Sequence, residues 1–184
     1  MKRTLLIAVT AIVLILPAAS FAEANDPEVT TGPQDVVYTA ESALEFLKSM
    51  SGDWDGTSAE NRHGSYPAIN FRVMAAGSTV VETVLQGHPN EMESVFHMDG
   101  DDLLLTHYCA LQNAPVLRFE RSDEPGLIQF VFHGGTNFDP AVDAHFHEGT
   151  FKIVGADTVE STFVVVAGGK PQPEGSSVLK RQAE

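Results

Sequence analysis

A single cysteine, Cys109, rules out any disulfide within the chain, so a folded domain here must be held by a hydrophobic core rather than by covalent staples. Basic residues are also scarce. Eleven lysines and arginines stand against 25 acidic residues, a formal net charge of −14. Such a chain repels nucleic acid and anionic membrane surfaces, so no nucleic-acid role is expected, and the charge favours a neutral or cationic ligand. Long apolar runs are confined to the N-terminus, and that one is shorter than the roughly 20 residues a spanning helix needs. Phosphate-loop chemistry is missing too. The glycine-rich "FHGGTN" (132–137) follows a strand pattern but has no lysine and no helix after it, so it reads as a loop at a barrel mouth.

What is present begins with a targeting segment. Lys2 and Arg3 precede the apolar "TLLIAVTAIVLIL", and "PAASFAEA" then offers small residues for cleavage. This is the layout of a secretory signal peptide over 1–24, cut near Ala22 or Ala24. The expected location is exported, periplasmic or secreted, with no membrane association after cleavage. Residues 25–38, polar with two prolines, read as a flexible leader.

Residues 39–184 read as a single domain, and about 150 residues suffice for one real core. Its one clear helix lies in "TAESALEFLKSMSG". Thr39 suits the N-cap, and Ala40, Ala43, Leu44, Leu47 and Met50 form an apolar stripe at helical spacing. The chain after Gly52 is almost all β: short runs rich in Val, Phe, Thr and Ile, separated by turn clusters such as "AAGS", "MDGDD", "SDEPG" and "VGAD". The connections are too short for parallel crossovers. About ten strands and one helix predict an all-β, antiparallel, up-and-down barrel with the N-terminal helix closing one end, because closure removes exposed edges.

Hairpin register tells which side chains point inward. A turn at Gly100–Asp101 pairs Phe96 with Leu105 and Ser94 with His107, so His107 joins a mostly apolar face. A turn at Ala76–Gly77 pairs Phe71 with Glu82, placing a carboxylate on an apolar face, where it needs a partner or a raised pKa. A three-residue turn after Ile153 pairs Ile153 with Val159 and His147 with Val165. It puts His145, His147, Phe151 and Ile153 inside, with Phe146 and Glu148 outside. Four polar groups (Glu82, His107, His145 and His147) are thus expected on interior faces, the sort of arrangement that lines a pocket.

The "SGDWDG" stretch, with Trp54 two residues after Gly52 at the start of the first strand, resembles the Gly-x-Trp opening of calycin barrels: lipocalins, fatty-acid-binding proteins and nitrobindin-like proteins. The block from Gly77 to Asn113 resembles a group of small exported bacterial proteins with calycin-like domains. The resemblance implies a barrel with the tryptophan closing one end beneath a helical segment. Through the nitrobindin-like branch it also implies haem on an axial histidine as one cofactor, with no position here that aligns to that histidine.

The favoured reading is an exported protein that binds a small apolar or amphipathic molecule, with Glu82, His107, His145 and His147 orienting it and Phe96 and Phe151 in the apolar lining. An enzyme is the less favoured alternative: a divalent metal on His107, His145 and His147, with Glu82 as base, would suit hydrolysis or isomerisation. The third reading is an interaction domain whose interior is filled. Cys109, alone on its strand, reads as a small buried hydrophobe rather than a nucleophile.

Overall fold

The computed structural model describes residues 32–58, 65–173 and 175–183. The expected signal peptide and the leader up to residue 31 lie outside the described residues. Ten antiparallel strands form a closed barrel: β1 (Gly52–Ser58), β2 (Ser65–Met74), β3 (Thr79–Val84), β4 (Met92–Asp99), β5 (Asp102–Tyr108), β6 (Ala114–Glu120), β7 (Leu127–Thr136), β8 (His145–Gly155), β9 (Thr158–Ala167) and, after the two-residue β10 (Lys170–Pro171), β11 (Gly175–Arg181). Each strand pairs with the next from β1 to β9. Strand β9 then pairs with β11, and β11 returns to β1, while β10 extends only the end of β9. The all-β, up-and-down barrel expected from turn spacing is the architecture observed, with one α-helix among the described residues, α1 (Ala40–Ser49).

The helix starts where its caps dictate. Thr39 Oγ1 accepts from the Ser42 amide, and Ser42 Oγ accepts in return from the Thr39 amide, a reciprocal pair that satisfies two otherwise orphan donors. Ala43, Leu44, Phe46 and Leu47 are buried on the helix, followed by Met50. They join Trp54 and Phe71 in one continuous core. Trp54 is fully buried, and its indole N–H donates to the Met50 carbonyl at 2.7 Å. Arg181, from the far end of the chain, straps this junction. Its guanidinium lies 4.5 Å over the Trp54 ring and donates to the carbonyls of Ser49 and Ser51 at 2.8 Å each. A cation that satisfies carbonyls at and just beyond a helix C-terminus also complements the helix dipole.

The described part of the leader, 32–38, is packed and not free. The Val36 carbonyl accepts from the Gly126 amide at 2.8 Å. Tyr38 is buried against Phe46, and its hydroxyl donates to the Pro33 carbonyl at 2.8 Å. Burial pushes that hydroxyl's pKa up to about 12. The prolines and polar residues suggest a linker, but Val36 and Tyr38 supply enough apolar surface to dock it. Gly126 permits the approach: its φ is +75°, and a Cβ there would fall 2.7 Å from the Gln34 carbonyl oxygen.

Inside the barrel, the half beneath the helix is plugged by rings. Trp54 meets Phe71 edge-on with centroids 6.3 Å apart, Phe71 meets Phe151 at 6.5 Å, Phe151 meets Phe96 at 6.1 Å, and Phe96 meets Phe130 at 5.5 Å. These separations suit edge-to-face contact, which adds to the burial energy of each ring.

Candidate functional site

Beyond the aromatic plug the interior opens into a cavity of about 500 Å³. It exists because inner-face positions change type along the strands. On β4 the inner residue before Phe96 is Ser94, on β8 the one before Phe151 is Gly149, on β9 Val159 gives way to Ser161, and on β11 Leu179 gives way to Ser177. Ser94, Gly149, Ser161 and Ser177 all border the cavity. Phe151, Leu105, Ile69 and Leu179 supply apolar wall, and Leu111, half exposed, marks where the space approaches solvent.

One wall is polar. Glu82, Ser94 and His107 are in register on three adjacent strands, Glu82 opposite Ser94 and Ser94 opposite His107. All three are buried and border the cavity. Ser94 Oγ lies 3.0 Å from His107 Nδ1, and the Ser94 hydroxyl also hydrogen-bonds Glu82. With Glu82 ionised, its carboxylate can only accept. The Ser94 hydroxyl therefore donates to it, Nδ1–H of His107 donates to Ser94 Oγ, and Nε2 is left as an acceptor. Burial dominates both titrations. It raises Glu82 to about 7 against a smaller lowering by Ser94, and it depresses His107 to about 4, so the imidazole is neutral at physiological pH. Among the described residues, no lysine or arginine borders the cavity.

Register reasoning thus placed Glu82 and His107 correctly, and Phe151 also borders the cavity. Three other expectations are corrected. Phe96 is fully buried within the plug and does not border the cavity. His145 and His147 do not border it either; Phe146 does. The cause is a β-bulge in β8. Gly149 still opposes Phe163, as the turn predicts, but the pairing slips between Phe146 and Glu148, so that Phe146, not His147, opposes Val165. One extra residue reverses the alternation beyond it. Phe146 turns toward His107, with ring centroids 5.1 Å apart. Gly149 makes room for it, since a Cβ there would fall 2.7 Å from the Phe146 ring.

The displaced histidines form a separate cluster. His145 is 1 % exposed, and its Nδ1–H donates to the Asp143 carbonyl at 2.9 Å. A carbonyl cannot donate, so this bond fixes the tautomer, and His145 Nε2 accepts from His147 Nδ1–H at 3.1 Å. Both rings pack on Phe132 at 4.9 Å, the His147 ring nearly parallel to it, and Phe138 lies 4.8 Å from His145. Burial, then the electrostatic cost of a second imidazolium beside the His145 ring, lowers the His147 pKa, while Glu148 pulls it the other way. With both His145 nitrogens engaged and His107 in the cavity, the three histidines do not converge on a point. Among the described residues no group of three His, Cys, Asp or Glu side chains could hold a metal ion. Haem also fits poorly, because the cavity wall offers it one histidine and, among the described residues, no cation for its propionates.

Sequence reasoning missed the small residues Ser94, Gly149, Ser161 and Ser177 as makers of space. The signal was available: each sits at an inward position of an otherwise apolar face. Compared with known proteins, the chain matches no family model and no curated protein sequence. The ten-stranded closed barrel itself is consistent with a calycin-like fold.

Proposed function

We propose that this chain is an exported, calycin-like barrel protein that binds a small apolar or amphipathic molecule in the half of the barrel beyond the plug. The observation that carries the reading is the cavity. At about 500 Å³ it falls within the roughly 300–1,000 Å³ typical of small-molecule sites, and it combines a mostly apolar wall with one compact polar line, Glu82–Ser94–His107. Such a composition gives affinity through burial and orientation through a few hydrogen bonds. The reading of a filled interior finds no support in a space of this size, and among the described residues no three ligands converge as the metal-assisted alternative would need.

The test uses N-phenyl-1-naphthylamine, a neutral apolar dye whose fluorescence rises in dry surroundings. Saturable binding is expected in the wild-type protein and strongly reduced binding in Ser161→Phe, which places a ring in the cavity. A wild-type protein that gives no saturable signal, or a filled variant that binds equally well, overturns the proposal. Export has its own check: N-terminal sequencing of secreted or periplasmic material is expected to begin after Ala22 or Ala24.

A further inference from the structure

The polar line in the cavity holds a carboxylate that no cation among the described residues offsets. Glu82 is 8 % exposed and borders an apolar space, with Phe71 paired beside it on β2 and Ser94 on β4. Among the described residues its hydrogen-bonding partner is the neutral hydroxyl of Ser94. No salt bridge reaches it among the described residues, whose ion pairs all lie at the surface. Among the described residues, the other titratable groups on the cavity wall are His107 and Cys109, on and just after β5, and neither supplies a positive charge at neutral pH. From β8, β9 and β11 the facing groups are Gly149, Phe151, Ser161 and Ser177, none of them titratable. A carboxylate taken out of water is tolerated only if it is protonated or paired with a cation.

Resting on the reading of the cavity as a ligand site, we propose that its ligand is a lipophilic amine, bound as the ammonium ion with its head group against Glu82 and its apolar body over Phe151 and Leu105. An ammonium group supplies what the described wall lacks: a positive charge for the carboxylate and spare N–H donors for the remaining acceptor, His107 Nε2. A carboxylate-headed ligand such as a fatty acid meets the opposite situation, a second buried negative charge with no cation among the described residues to offset either. The surrounding field acts in the same direction, because a net charge of −14 raises the local concentration of cations and lowers that of anions.

Glu82 also sets the pH at which the site works. Burial holds it near 7 in the free protein, and a bound cation favours its ionised form. Amine affinity therefore rises as pH climbs through about 7, and it holds until the amine itself loses its proton near pH 10, the range of a free alkylammonium.

The experiment compares three ligands of equal chain length (decylamine, decanol and decanoate) as competitors of N-phenyl-1-naphthylamine, each below its micellar concentration, at pH 6, 7 and 8. Decylamine is expected to displace the dye at least about tenfold more tightly than decanol at pH 8, to lose that advantage at pH 6, and to leave decanoate weakest. In Glu82→Gln, which keeps the shape of the side chain, the ratio of decylamine to decanol affinity at pH 8 is expected to fall to about one. If the dye binds but the three head groups compete equally, if decanoate wins, or if the preference survives in Glu82→Gln, the amine inference falls and the binding cavity stands. If the dye itself does not bind, the underlying reading falls with it. A Glu82→Gln protein that lost dye binding altogether would also overturn the inference, since it would make Glu82 a support of the cavity rather than its selector.

Discussion

Along β4, β8, β9 and β11 the inner face changes character partway along the strand. Toward the helix it carries Phe96, Phe151, Val159 and Leu179, and away from it Ser94, Gly149, Ser161 and Ser177. The two halves share a backbone, a hydrogen-bond ladder and a twist, yet one is solid and the other hollow. The difference lies in side-chain volume at equivalent positions. A barrel of this strand number has more interior than backbone alone can fill, so large rings make a plug and small residues leave space. Packed core and open cavity thereby occupy different ends of the same strands.

The comparison is broken most directly by truncating the plug. Phe96→Ala removes a fully buried ring from contact with Phe130 and Phe151 and is expected to cost about 3–5 kcal/mol in chemical denaturation. The division between halves fails if this loss is no larger than that of a substitution on the cavity wall.

Next in size are two opposing pH dependences in the hollow half. Glu82 rises from 4.5 to about 7 on folding, so between those values the folded chain holds a proton that the unfolded chain has released, and stability falls as pH rises. His107 drops from 6.5 to about 4, so its contribution is present above 6.5 and is lost as pH falls toward 4. In the wild type these slopes oppose one another between 4.5 and 6.5. Glu82→Gln exposes the histidine slope, with stability gaining of order 3 kcal/mol relative to the wild type as pH rises through that window. His107→Gln exposes the reverse slope of similar size. Urea titrations at pH 4.5, 5.5 and 6.5 read both, and parallel curves for wild type and variants would mean that neither group is desolvated as the barrel places it.

Arg181→Lys sharpens the contrast from the plugged end. It keeps the charge but loses the planar fork that covers Trp54 while reaching two backbone carbonyls, and about 1–2 kcal/mol of thermal or chemical stability should go with it. The smallest expected effect is Ser161→Val. Two methyl groups entering open space change stability by less than about 1 kcal/mol, in contrast to overpacking a solid core. A larger loss from this change would mean that the hollow half tolerates no more than the plug does.

Much of this was legible from residue order. The Gly100–Asp101 turn sets the β4–β5 register, which pairs Ser94 with His107 as expected, and the pairing of Val73 with Val80 likewise brings Glu82 opposite Phe71. Two-residue periodicity then carried Glu82 and His107 to the inner face. The same logic failed at His147 because a single bulge shifts a strand by one residue, and nothing in "DAHFHEG" distinguishes a bulged from a regular strand. Over 32–38, the described part of the expected leader, Val36 and Tyr38 dock the chain through a backbone bond to Gly126 and a ring contact with Phe46, contacts that composition does not announce.

Alternation, turn chemistry and a capped helix are local properties, and residue order alone carries what depends on them: an antiparallel closed barrel, a capped helix, and a carboxylate and an imidazole facing inward from nearby strands. Which inward residues meet a cavity, and which meet one another, is settled in three dimensions. That outcome depends on how rings from strands distant in the chain share one volume. Phe96 is spent in the plug because Phe130 and Phe151 are there to receive it, Phe146 takes the cavity wall because Gly149 yields the room, and His145 and His147 then close on each other beside Phe132.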